Sequence, residues 1–283
     1  MLQYEIAGLK IHIRNGLRSR FRRMRPFESV FSTEPDIEVV LQASGSFPVR
    51  KYPSDENSQD SIFLDAEYAD GKTALYVFLK DTQALEYIIE ADSDWSHVTV
   101  HHRENDRFYD RAFSEYLGNL ILSNKMILSD GIILHASSVL YSGQGIAFTA
   151  PSGTGKSTHA AMWVKYHRAS IINDDCPAIR YIDGNAVIHG TPWNGSRRKS
   201  SNSSAPLSLV VILEQSEQNS IRSLSFDQAI PLLLPRLFLP YHNPALMDKA
   251  LENADKIFKP IPIWHLKCRA NRDATELVRQ CII

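Results

Sequence analysis

Ala150-Pro151-Ser152-Gly153-Thr154-Gly155-Lys156-Ser157-Thr158 is followed, 17 positions after Ser157, by Asp174 and Asp175. The first stretch fits the phosphate-binding pattern GxxxxGK[ST], with Ala150 in place of its first glycine. Gly153 and Gly155 can take positive φ, so successive backbone N–H groups turn inward and form a nest for phosphate oxygens. Ser152, Gly153, Thr154, Gly155, Lys156, Ser157 and Thr158 are therefore the expected nucleotide-binding set. Lys156 places a compact charge on the β- and γ-phosphates, and Ser157 offers its hydroxyl to Mg²⁺. The flanks suit this reading. Gly145–Thr149 is short and apolar, like a buried strand, and Lys156 to about His167 reads as a helix carrying Ala160, Ala161 and Val164. Ala169–Ile172 then reads as a second strand. The helix N-terminus would face the phosphates, where unpaired N–H groups and the helix dipole favour negative charge.

Between Ser157 and Asp174 there is room for one helix and one strand, which puts both carboxylates at the mouth of the second strand. One carboxylate would hold Mg²⁺, directly or through water, and the other would accept the proton of an attacking hydroxyl. A cation nearby also offsets the repulsion of two adjacent carboxylates. Read alone, Asp174-Asp175 also fits an Asx-type turn after a strand.

These motifs, with His135-Ala136 on a preceding strand, resemble in order and spacing the catalytic domain of bacterial HPr kinase/phosphorylase. The ATP-dependent phosphoenolpyruvate carboxykinases share the loop and the acidic motif. The resemblance covers roughly residues 130–190. It implies ATP and Mg²⁺ as cofactors, Asp174 as general base toward a serine hydroxyl, Asp175 with Ser157 on the metal, and His135 supporting the acidic pair. Lys156 joins Asp174 and His135 in the catalytic set. The arginine-containing signature that follows in HPr kinases is absent. Gly190-Thr191-Pro192-Trp193-Asn194-Gly195-Ser196-Arg197-Arg198-Lys199 stands there instead. HPr-kinase-like proteins also accompany peptide-tailoring systems, so the resemblance implies a serine in a protein or peptide as acceptor without implying HPr. The chain is short for a phosphoenolpyruvate carboxykinase.

The 283 residues, 43% hydrophobic and 22% charged, suffice for one large domain or two modest ones. A net charge of −1 gives no reason to expect nucleic acid as a partner. Cys176, Cys268 and Cys281 are odd in number and far apart, which argues against a disulfide scaffold or a zinc site and for a reduced, cytoplasmic setting. The N-terminus lacks a secretory pattern, and no apolar run approaches the ~20 residues of a membrane span.

The overall expectation is an α/β (α+β) chain: a β-rich N-terminal domain over 1–105, a bridging helix over 106–130, and an HPr-kinase/phosphoenolpyruvate-carboxykinase-like P-loop catalytic domain over 131–283. Leu9–Ile13, Ile37–Leu41, Ser61–Tyr68, Thr73–Leu79 and His97–His101 read as strands, with Asp70-Gly71 as a hairpin turn and Gln83–Glu90 as a short helix. Residues 44–60 read as a long loop. The arginines at 14, 18, 20, 22, 23 and 25 form either a patch for an acidic partner or a solvated edge with apolar anchors. In the second half, Ile132–Tyr141, Gly145–Thr149, Ser208–Leu213 and Pro262–Cys268 read as strands, and Val187–His189 leads into the Thr191-Pro192-Trp193-Asn194-Gly195 loop. Phe226–Leu234, Pro244–Phe258 and Asp273–Cys281 read as helices, and Arg197–Pro206 as a mobile basic segment.

Trp193, Asn194, Arg197 and Arg198 are candidates for contact with acceptor or γ-phosphate, the alternative being a structural turn with a solvated basic flank. The 1–105 region and the 190–206 loop are expected to select the acceptor. A small hydroxylated metabolite as acceptor, and a regulator that uses ATP only as a switch, are the competing expectations. A homo-oligomer is compatible with the sequence.

Overall fold

The computed structural model describes residues 1–16, 21–52, 62–81, 83–104, 106, 109–195 and 199–282. Two compact units emerge, one of Met1–Lys125 with Tyr241–Pro244, the other of Met126–Pro240 with Ala245–Ile283.

The first unit is built on seven strands: β1 (Leu2–Ile6), β2 (Leu9–Arg14), β3 (Ile37–Ser44), β4 (Ile62–Ala69), β5 (Lys72–Leu79), β6 (Ala84–Asp92) and β7 (His97–Arg103). They form one sheet in the order β1-β2-β3-β7-β6-β5-β4, with β3 parallel to both its neighbours. Alternation drives it. Leu9, Ile11 and Ile13 of β2 are buried while Lys10 and His12 between them are partly exposed. Asp70 and Gly71, at φ 52° and 72°, make the β4–β5 hairpin turn that their identities suggested.

The stretch Gln83–Glu90, expected as a helix, instead forms most of β6 from Ala84 on. Leu85, Tyr87, Ile89 and Ala91 are buried in strict alternation, and β6 is paired on both sides, by β5 and β7. A period of two with aromatic and β-branched side chains outweighs the helix propensity of Ala84, Leu85 and Glu86. The helix expected from 106 on is also modified. It runs as α1 (Tyr109–Ala112), a π-helical turn (Phe113–Leu117) and α2 (Gly118–Leu128).

The second unit carries nine strands: β8 (Gly131–Ile133), β9 (Ala136–Tyr141), β10 (Gln144–Thr149), β11 (Ser170–Asn173), β12 (Ala178–Ile182), β13 (Asn185–His189), β14 (Ser204–Gln215), β15 (Ser220–Leu224) and β16 (Ile263–Cys268). Its helices are α3 (Lys156–His167), α4 (Phe226–Leu233), α5 (Pro244–Phe258) and α6 (Arg272–Arg279). β14 is the spine. Its start pairs with β13, and its remainder lies parallel to β10 and β16.

Both faces of β14 are covered, which explains its unbroken apolar run Leu209–Leu213. Leu209, Val211 and Leu213 pack with Phe148, Ala160 and Trp163 and with Ala274 and Val278 of α6. Val210 and Ile212 pack on the other side with Ala229 and Leu233 of α4 and Ala250, Ala254 and Ile257 of α5. The molecule is thus mixed α/β with two sheets.

The single strand expected over Ile132–Tyr141 is broken at Leu134-His135, because β8 pairs with β12 while β9 pairs with β10 and β11. β12 and β15 were not anticipated.

Candidate active site

The loop expected to bind phosphate joins β10 to α3. Gly153 and Gly155 both have positive φ, 79° and 108°, the conformation that glycine adopts without strain. Ala150 is buried where the pattern has its first glycine. Lys156 opens α3 and is buried, 7% exposed. Its ammonium donates to the loop's own carbonyls at Ala150 (3.1 Å) and Pro151 (3.3 Å). Burial lowers its pKa, the charge of Asp175 opposes this, and the positive charge of Arg236 adds to the lowering.

The acidic pair follows β11, in a turn made by Asn173 rather than by the aspartates. Asn173 is completely buried. Its Oδ1 accepts from the backbone N–H of Asp175 (2.8 Å) and Cys176 (2.7 Å). Its Nδ2 donates to the carbonyls of Thr191 (2.9 Å) and Trp193 (3.0 Å). One amide thus locks the acidic turn to the loop after β13.

The Asp174 carbonyl accepts from the Ser137 hydroxyl at 2.9 Å and from Ser157 at 3.4 Å. This ties the turn to the first turn of α3.

The two carboxyls are treated oppositely. Asp174 is buried, and its oxygens accept from the backbone N–H of Gly195 (2.9 Å) and Lys199 (3.3 Å). Burial pushes its pKa up, these backbone donors pull it back only in part, and the charge of Asp175 raises it again. Asp175 also pays a burial cost, but His135, the Cys176 thiol and Lys156 bring its pKa below the ordinary value. His135 Nε2 lies 3.3 Å from Asp175 Oδ1. Two adjacent carboxyls whose pKa values are pushed apart by their surroundings are a pattern that recurs at acid–base sites.

Of the expected site residues, Lys156, Ser157, Asp174, Asp175 and His135 come together around the loop. Trp193 does not present itself for contact. It is 3% exposed, and its carbonyl accepts from the Asn173 side-chain amide and from the Thr191 hydroxyl (3.2 Å). Asn194 donates to Ser200 at 2.9 Å. Arg197 and Arg198 lie outside the described residues. The segment expected to be mobile is fastened from Lys199 onward. Ser201 N–H donates to the Ile172 carbonyl (2.9 Å), Ser200 bridges Asn173, and β14 begins at Ser204. Gly190 permits this approach, since a Cβ there would sit 1.8 Å from the Ser201 carbonyl oxygen.

Two residues escaped the sequence reading. Asn173 was visible only as a neighbour of the aspartates. Arg236 had no local signal. It ends a short 3₁₀ turn, Leu234–Arg236, and reaches the site because its carbonyl accepts the His135 N–H at 2.7 Å and Leu237 bridges Leu134.

Asn173→Ala is expected to leave two buried N–H groups without an acceptor, costing about 1–3 kcal/mol for each. A lowered Tm together with a loss of activity larger than the unfolded fraction explains would establish the positioning role. An unchanged Tm would remove it.

For Mg²⁺, the donor set is chemically suitable. Magnesium takes one or two carboxylates and completes its shell with phosphate oxygens and water. Asp175 offers a carboxylate, and Ser157 a hydroxyl of the kind that joins Mg²⁺ at phosphate loops. No group of three or more His, Cys, Asp or Glu arranged for a metal occurs among the described residues. No helix among them is long and apolar enough to cross a membrane.

No protein-family model matches the chain, and no curated protein does. Among solved structures, the chain is similar to the HPr(Ser) kinase/phosphatase from Coxiella burnetii at 9% identity and a TM-score of 0.30, over 52% of this chain and 91% of that one. Likeness of that degree bears on neither activity nor acceptor.

Proposed function

We propose that this chain is an ATP- and Mg²⁺-dependent kinase that transfers the γ-phosphoryl group to a hydroxyl, most simply a serine of a protein or peptide. The observation that carries the reading is the attachment of the acidic turn to the first turn of the phosphate-loop helix, through Ser137 and Ser157 on the Asp174 carbonyl. In this reading the Asp174 carboxylate takes the acceptor's hydroxyl proton as that oxygen bonds to the γ-phosphorus. The bond to the β-phosphate oxygen breaks, and ADP leaves.

Lys156 leaves the carbonyls of Ala150 and Pro151 to meet the phosphates. His135 keeps Asp175 ionised. Mg²⁺, held by Asp175 and Ser157, would neutralise charge on the β- and γ-phosphates. Transfer of ³²P from γ-labelled ATP into serine-containing peptides tests this. Label found only in free phosphate, or none released at all, would favour an ATPase or a nucleotide-gated regulator.

Arg236 is assigned the charge that develops on the transferring group, the part first sought in Arg197 and Arg198. Its carbonyl holds the His135 N–H at 2.7 Å, which sets the residue beside the acidic pair, and its positive charge is among the causes that lower the Lys156 pKa. Arg236→Ala is expected to lower transfer about 10- to 100-fold with little change in nucleotide affinity. Equal losses in affinity and rate would make it a ground-state binding residue instead.

A further inference from the structure

A cavity of about 670 Å³ opens beside the phosphate loop. Loop residues Gly153, Thr154 and Gly155 form one wall, with Thr158 and Met162 of α3. The facing wall is the chain that leaves the C-terminal ends of β14 and β16, including Gln215 and Cys268. None of Asp174, Asp175, His135, Lys156 and Ser157 lines it. In the sheet order β11-β9-β10-β14, the acidic pair follows β11 on one side of β10 and its loop, and the cavity lies at the ends of β14 and β16 on the other.

The geometry points to the cavity as the seat of the nucleoside half of the nucleotide. This rests on the reading of the loop as a phosphate site. A triphosphate laid across the nest must run from a nucleoside at one end to a γ-phosphate at the other. The γ-phosphate belongs beside the carboxylates, so the nucleoside belongs in the cavity that shares the loop's other wall. The position also follows the rule that open α/β sheets bind ligands beyond the carboxyl ends of their strands, here parallel β10, β14 and β16. The volume lies within the range of small-molecule sites, roughly 300–1,000 Å³. The Gln215 side chain ties the walls together by donating to the Thr154 carbonyl at 3.3 Å. The far wall thus holds the loop and would feel an occupant.

Cys268 makes the assignment testable by footprinting, because it is a half-buried free thiol within this cavity and Cys281 is a partly exposed free thiol outside it. In the full chain, MgATP is expected to slow alkylation of Cys268 by iodoacetamide about tenfold or more, with Cys281 unaffected. Magnesium tripolyphosphate, which has no nucleoside, is expected to bind without protecting Cys268. Ala270→Trp, at an exposed position of the cavity rim, should weaken MgATP at least about tenfold and leave tripolyphosphate unchanged. MgATP that binds while Cys268 reacts at its free rate, with Ala270→Trp binding as the unaltered chain does, would overturn the cavity assignment and spare the phosphate-loop reading. Failure of both MgATP and tripolyphosphate to bind would overturn both.

Discussion

Asp174→Asn is expected to bind MgATP nearly as well as the unaltered chain and to transfer phosphate about 10²–10⁴-fold more slowly. The amide keeps the shape of the carboxyl and one of its acceptor oxygens, so at least one of the backbone donors from Gly195 and Lys199 stays satisfied. What disappears is a group able to take the acceptor's proton. The same carboxyl should set the acid limb of the pH–rate profile, which lies above the ordinary aspartate value of 3.8 because burial raises it. That limb should vanish in the asparagine variant.

Stability should respond in the opposite sense. A raised carboxyl pKa means that the folded chain holds this proton more tightly than the unfolded chain does. Asp174's contribution to stability therefore falls as pH rises from 3.8 through the raised value. Asp175, with its lowered pKa, contributes stability above 3.8 that is lost as pH falls through its folded value. Transfer by Asp174→Asn at the unaltered rate would place the base elsewhere. Loss of MgATP binding along with transfer would recast Asp174 as a binding residue.

Lys156→Ala is expected to lose about 2–4 kcal/mol of MgATP or transition-state binding, since a buried charge-assisted contact to phosphate is removed. The fold itself should not suffer in proportion. Lys156 is charged against the pull of burial, and at neutral pH its lowered pKa is a cost to the folded state that the alanine variant no longer carries. The expected signature is thus a Tm that holds or rises beside a collapsed affinity, measured by thermal melting and titration calorimetry with MgATP. Unchanged affinity together with unchanged turnover would refute the phosphate-loop assignment. A large fall in Tm would mean that the hydrogen bonds to Ala150 and Pro151 matter more for folding than for ligand.

The phosphate loop, its helix and the strand beyond were legible in the sequence because each is dictated locally. Glycines mark the positive-φ positions at 153 and 155, an apolar pentapeptide precedes them, and a run of helix formers follows. The carboxylates were legible for the same reason, since one helix and one short strand leave little freedom in where Asp174 can emerge.

The errors share the converse cause. β6 was taken for a helix because propensity over eight residues is weak evidence against pairing by β5 and β7, which the sequence does not display. The Ser-rich segment around Ser201 reads as mobile in the sequence because its restraint comes from Ile172, 29 residues away. Trp193, which the sequence leaves open between a contact residue and a structural turn, is buried by packing that no local signal displays.

By itself, then, the sequence determined the α/β character, a glycine loop between β10 and α3 with two positive-φ positions, and the presence of two carboxylates close to it. The tertiary structure alone decided how those carboxylates differ. The opposed pKa shifts arise because burial raises Asp174 by more than the backbone donors at Gly195 and Lys199 offset, while His135 across a strand break, the Cys176 thiol and Lys156 outweigh the burial of Asp175. It alone also brought Arg236 to the site, through a hydrogen bond to His135 from a residue 101 positions distant. Such contacts depend on chain closure over long separations, where identity and spacing carry no local signal.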